Sequence, residues 1–128
     1  NARRLADFYV SNFGVKEAFF LKIPIPLVAS AQALDTKHEF PLSLVRLSDF
    51  SNSIEIDGYP STAGPRPTPK GELPPGVGIA SFTVDNLDLI NSDLFIASPK
   101  KLSGTGYNGN RVVTLKGPAG ELIELIEE

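Results

Sequence analysis

Between Arg111 and Glu127 the chain reads RVVTLKGPAGELIELIE, with apolar and polar positions alternating on either side of the turn-rich Gly117-Pro118-Ala119-Gly120. A period of two predicts strands over 111–116 and 121–127, closed into a hairpin. Leu122, Glu124 and Ile126 then share one face of the second strand, and Ile123, Leu125 and Glu127 share the other. Glu124 is a carboxylate set between apolar side chains. Burying an ionised carboxylate without a partner is costly, so such a group is paired, protonated or given to a metal. The alternative is that the Glu124 face is solvated, because both faces carry two apolar residues and periodicity does not choose between them.

The same patterning organises the rest of the chain. Leu5, Phe8, Tyr9 and Phe13 recur at the spacing of one helical face, with Gly14 placed as a C-terminal stop. Residues 15–24 read as a strand ending at Ile23-Pro24-Ile25-Pro26, residues 27–34 as a short helix, and 35–39 as a polar loop. Residues 42–47 and 53–57 read as two strands separated by a polar turn over 48–52. Residues 58–76 hold six prolines and four glycines, which continue neither helix nor sheet and mark an internal boundary. Beyond it come a strand over 77–84, a helix through Leu87, Ile90, Leu94 and Ala97 closed before Pro99, and the hairpin. The halves echo each other: Val45-Arg46-Leu47, a turn and Ile54-Glu55-Ile56, against Val113-Thr114-Leu115, a turn and Ile123-Glu124-Leu125. A repeated sheet-plus-helix unit predicts an α+β fold of paired βαβββ modules, with a first unit over 1–57, a linker over 58–76 and a second unit over 77–128.

Three stretches carry a resemblance to a known family. The closing hairpin, with Gly120 followed by Ile123-Glu124-Leu125, resembles the last strand of the vicinal oxygen chelate superfamily, which includes glyoxalase I, bleomycin-resistance proteins and extradiol dioxygenases. Leu5-Ala6-Asp7-Phe8-Tyr9 through Phe13-Gly14 resembles that family's first helix, and Phe82-Thr83-Val84-Asp85-Asn86-Leu87-Asp88 its fifth strand running into the second helix. The three are spaced across nearly the whole chain in the family's order. The resemblance implies a single domain whose curved mixed sheets enclose a cleft. It also implies an opening strand before the helix, which would fall before Asn1. That strand, and an initiator methionine, are expected to be missing from the sequence as given, the alternative for the strand being that a partner supplies it.

The resemblance further implies a metal held, in the metal-dependent members, by inward positions on the first, fourth, fifth and eighth strands. Glu55 and Glu124 match the fourth and eighth, Ile79 falls where the fifth usually carries His, and the first lies in the missing part. Two carboxylates and an isoleucine make a poor transition-metal site, since such sites draw on imidazole and three or four protein donors. The expectation is therefore a small-molecule-binding member of the superfamily with no cofactor and no complete metal site. The alternative is a metal-dependent lyase, isomerase or dioxygenase whose Zn, Ni, Mn or Fe is completed by ligands outside the visible chain. No catalytic residue can be named.

Composition narrows the classes without choosing among them. A formal charge of −3 offers no general attraction for nucleic acid or anionic lipid, and without cysteine there is no disulfide framework, thiolate zinc site or cysteine nucleophile. No apolar run reaches transmembrane length and no leader is visible, so a cytoplasmic location is expected. His38 lies in a polar loop beside Lys37 and Glu39 and reads as a surface residue, the alternative being an acid or base reaching into a pocket. One histidine without cysteine assembles no nucleophilic triad. Gly104-Thr105-Gly106-Tyr107-Asn108-Gly109 leads into a strand and not a helix, so it is no phosphate loop. As a turn over a pocket mouth it makes Tyr107 a candidate ligand contact, with Tyr59, Ile79 and Leu122. Partners are expected to be a small organic molecule and, as for most members of the superfamily, a second copy of the chain in a homodimer.

Overall fold

The structure, a computed structural model, describes residues 1–15, 17–47, 52–64, 67–73, 76 and 78–128, with residues 17 and 18 described by their backbone alone. The turn expected after residue 47 lies mostly outside the described residues, as do parts of the proline-rich stretch and Val77. The chain divides into two compact units, Asn1–Pro65 and Arg66–Glu128, and the division falls inside the run of prolines and glycines. The fold is α+β, with one sheet in each unit.

In the first unit, α1 (Ala2–Phe13) ends at Gly14, whose φ of 65° is the left-handed conformation that closes a helix at low cost in glycine. Its most buried residues are Ala2, Ala6 and Tyr9, with Leu5, Phe8 and Phe13 partly covered. Of the four large side chains that the spacing singles out, Tyr9 alone is fully buried, and Ala2 and Ala6 complete the buried stripe. Three strands follow in the order β1 (Glu17–Pro24), β2 (Glu39–Arg46), β3 (Ser53–Asp57), all antiparallel, with α2 (Pro26–Ala31) between the first two. One face carries Phe20, Ser43, Val45 and Ile56, and Arg3 of α1 stacks over the Phe20 ring, which places the helix on that face. The opposite face carries Phe19, Leu21, Ile23, Leu42, Leu44, Glu55 and Asp57. Pro41 sits in the central strand without penalty. Its carbonyl accepts from Gly58 just past the end of β3, so its missing N–H falls where the ladder has already stopped.

In the second unit the order is β4 (Ile79–Val84), β7 (Leu122–Glu127), β6 (Arg111–Lys116), β5 (Lys100–Lys101), with β4 parallel to β7 and the rest antiparallel. Val113, Leu115, Ile123 and Leu125 form the core on one face, with Leu87 buried as well. The helix expected through Leu87 and Ala97 does not form. Two short 3-10 turns, Leu87–Leu89 and Ser92–Leu94, stand in its place. The cause is local: Asn86 and Asn91 accept from the backbone N–H of Asp88 and Asp93, and two such turns five residues apart prevent a continuous α register. Phe95 then bridges to Leu115, and β5, which the apolar pattern does not reveal, completes the sheet with two exposed edge lysines.

The internal echo survives with a shifted alignment. Val45 pairs with Ile54 and Leu115 with Ile123, so Ser43-Leu44-Val45 corresponds to Val113-Thr114-Leu115. Glu55 and Glu124 keep equivalent places, opposite Leu44 and Thr114 respectively. Among the described residues β3 lies at a sheet edge, whereas its counterpart β7 has β4 alongside.

Candidate functional site

The register of the second sheet decides which side chains meet. Ile79, Ser81 and Thr83 of β4 pair with Leu122, Glu124 and Ile126 of β7, which in turn pair with Lys116, Thr114 and Val112 of β6. All nine belong to one face, opposite the Leu115, Ile123 and Leu125 core. Its β4 members are exposed, and Leu122, Glu124 and Ile126 are half-buried. The result is an open, mixed face on which one carboxylate lies among the apolar Ile79, Leu122, Ile126 and Val112 and the polar Ser81, Thr83, Thr114 and Lys116.

Both oxygens of that carboxylate are occupied. Ser81 Oγ donates to Glu124 Oε2 at 2.7 Å, and the Tyr107 hydroxyl donates to Oε1 at 3.1 Å. Ser81 is the direct register partner of Glu124, whereas Tyr107 arrives from the β5–β6 loop. Backbone bonds between Leu102 and both Gly109 and Asn110 pin the loop base, and positive φ at Gly106, Asn108 and Gly109 turns the chain back. The hydrogen bond to the Glu124 anion raises the Tyr107 pKa above its ordinary value of 10.0, with the nearby negative charge adding to the effect. Of the two readings of Glu124 open in the sequence, the face is solvated, and the carboxylate is also paired by two neutral hydroxyls.

Ile79, Leu122, Glu124 and Tyr107 therefore come together on this face, while Glu55 and Tyr59 belong to the first unit. Glu55 is exposed, beside the apolar row Phe19, Leu21 and Leu44. Tyr59 lines a small cavity with Ile25, Val28, Phe40, Asp57 and Gly58, and Asp57 carries a buried Oδ1 without a hydrogen-bond partner. His38 is exposed and lies edge-on to Phe40, as a surface residue would.

An ion cluster on the other face has no counterpart in the sequence reading. Arg111 bonds Glu127 through Nε and Nη2 and Asp88 through Nη1 at 2.9 Å, and Glu127 also accepts from the Leu87 backbone N–H at 3.0 Å. These bonds depress the Glu127 pKa from its ordinary 4.5 to about 2, the guanidinium first and the amide second. Asp88 and Arg111 border an open groove of about 550 Å³ shared with Phe95 and Pro99. The available signal was the position of Arg111 and Glu127 at opposite ends of the closing hairpin, where antiparallel pairing sets them side by side.

The group around Glu124 does not fit a transition metal. Its companions are hydroxyls that donate to it, Ile79 offers no donor, and among the described residues no three His, Cys, Asp or Glu side chains are grouped so as to bind one. Among the described residues, too, no helix is long and apolar enough to cross a membrane.

No protein-family model matches the chain, and no curated protein sequence does. Its fold is similar to the crystal structure of a glyoxalase family protein from Bacillus cereus, with a TM-score of 0.62 at 20% identity, over 95% of this chain and 85% of that one. The two-sheet α+β arrangement is thus a glyoxalase-like fold.

Proposed function

We propose that this protein binds a small organic molecule on the Glu124 face of its second sheet, and does so without a transition metal. The observation that carries the reading is the setting of Glu124: a carboxylate oriented by Ser81 and Tyr107 on an open face, beside the apolar side chains Ile79, Leu122 and Ile126. Ligand sites are commonly apolar surfaces with a few fixed polar groups, the apolar part supplying affinity and the polar groups orientation. Ile79, Leu122 and Ile126 would supply the first, Glu124, Ser81 and Thr114 the second. Tyr107, carried on the β5–β6 loop, would border the site from outside the sheet. The fold by itself assigns no activity, because one scaffold serves many chemistries.

The reading is tested by backbone amide NMR of the labelled protein against a library of small organic compounds, with zinc titrated separately by calorimetry. Binding at this site shifts the amides of Ile79, Ser81, Tyr107, Leu122 and Glu124 together. Hits that shift none of them, or stoichiometric zinc bound in a way that Glu124→Gln abolishes, would overturn it. The superfamily likeness also supports a homodimer. In the edge strand β1, Phe19, Phe20, Leu21 and Ile23 are all exposed, at 36–49%, and an apolar edge of that length favours association. Sedimentation as a monomer at tens of micromolar would refute that part.

A further inference from the structure

We infer that the ligand of the Glu124 face is an organic cation, a primary ammonium or guanidinium group joined to an apolar body. This rests on the binding reading above and adds the chemical class. The first ground is charge. Among the described residues no lysine or arginine lies within salt-bridge distance of Glu124, and its two hydrogen-bond partners are neutral hydroxyls. The nearest basic residue by register, Lys116, directs its chain toward the turn: its Cε stands 3.8 Å from where a side chain on Gly120 would begin. Lys100 lies on the far strand of the sheet, beyond β6. The contrast within the unit is informative, because Glu127, on the opposite face, is neutralised by Arg111 through two hydrogen bonds. Among the described residues, then, Glu124 has no cation within ion-pair distance.

The second ground is geometry. Ser81 and Tyr107 each take one oxygen of Glu124, which fixes the plane of the carboxylate and leaves further lone pairs free, since an ionised carboxylate accepts about four hydrogen bonds. A hydrogen-bond donor is therefore required, and an anion would be repelled. The third ground is the apolar surround of Ile79, Leu122 and Ile126, which a small inorganic cation would leave uncovered. A charge on an apolar body complements both features, and charge-assisted bonds to a carboxylate are the stronger kind.

The test uses three probes that share one ring and differ only in the polar group: benzylammonium, benzyl alcohol and benzoate. Each is titrated into the intact protein at low ionic strength, with the amide shifts of Ile79 and Leu122 reporting occupancy. The expected order is benzylammonium tighter than benzyl alcohol by roughly fivefold or more, with benzoate weakest. Glu124→Gln should erase the preference for benzylammonium over benzyl alcohol. Tyr107→Phe, which removes the competing donor from Oε1, should tighten ammonium binding. Equal affinity for all three probes at this face, or a preference for benzoate, overturns the cation inference and leaves the binding reading standing. Absence of any shift at Ile79 and Leu122 with every probe removes both. A collapsed amide spectrum for Glu124→Gln would not obscure the outcome, because the order of the three probes on the native protein decides it alone.

Discussion

Arg111 and Glu127 meet across the β6–β7 ladder in a two-pronged hydrogen bond, Nε to Oε2 at 2.7 Å and Nη2 to Oε1, with the guanidinium 32% and the carboxylate 22% exposed. The same carboxylate accepts the Leu87 N–H, so one side chain ties the closing hairpin to the segment that follows β4. Because the folded-state pKa lies at about 2 and the ordinary value is 4.5, the unfolded chain takes up this proton first as pH falls. The stabilisation is complete above pH 4.5 and is lost progressively as pH drops toward 2. Glu127→Gln should lower the melting temperature at pH 7 and flatten its pH dependence between 4.5 and 2. Thermal unfolding over that range checks it; parallel curves for the two proteins would show that the pair contributes nothing.

The Tyr107–Glu124 bond has a spectroscopic signature. A phenol donating to a carboxylate is held protonated, so Tyr107 titrates above 10.0 in the native protein. In Glu124→Gln the charge is gone and its pKa should fall back toward 10.0, followed by the carbon shift of the Tyr107 ring against pH. The sign for stability is that of a raised group: the contribution is present below pH 10 and is lost as pH rises through the folded-state value. An unchanged Tyr107 titration in the variant would break the proposed link between loop and sheet. The cost in stability should be small, since this half-exposed site lets water replace the lost partner.

The hairpin strands, α1 and the three strands of the first unit were legible because each has a strong apolar period and a clear stop, Gly14 and the Gly117–Gly120 turn among them. Gly120 adopts a φ of 92°, the backbone state for which the turn selects glycine. The segment after β4 was misread for an equally physical reason. Leu87 is buried and Ile90 and Leu94 are half-buried, so the apolar spacing marks side chains that face the sheet, but the asparagine turns set the backbone. The place of Glu124 was legible and its partners were not, since Ser81 reaches it through parallel pairing across forty-three residues and Tyr107 through the shape of a loop. Neither relation leaves a periodic trace. The ion cluster needed the same long-range register.

Asp57, which lines a small cavity with Ile25, Val28 and Phe40, carries an oxygen that is buried and has no hydrogen-bond partner. A charged atom in that position is under-solvated, and Asp57→Asn keeps the shape while removing the charge. The variant should be more stable than wild type by about 1 kcal/mol at pH 7, a rise in melting temperature measurable by calorimetry. A loss of similar size would show instead that the oxygen has a partner, such as a water in the small cavity that Asp57 lines.

The last prediction concerns Ile79, on the same sheet face as Glu124. Ile79 pairs with Leu122, two residues along the strand from the Ser81–Glu124 pair, so its side chain is a diagonal neighbour of Glu124 on the same open face. Diagonal neighbours on one sheet face stand about 7–8 Å apart, within joint reach of one ion when both side chains are long. Ile79→His should therefore turn a lone carboxylate into a two-donor site, and Ile79→His with Ser81→His should offer three donors, the number a zinc ion normally takes from a protein when water fills the fourth place. The expected gain in zinc affinity is at least about tenfold for the pair of substitutions, or about 1.4 kcal/mol. Wild type and the Glu124→Gln triple variant serve as references in a calorimetric titration. A folded double variant that binds zinc no better than wild type would mean that Ile79 and Glu124 do not converge on one ion. A gain that survives Glu124→Gln would mean that the new histidines act without the carboxylate. A gain that disappears with Glu124 would establish that the face can be made into a metal site by supplying imidazole, and that the natural isoleucine is what withholds it.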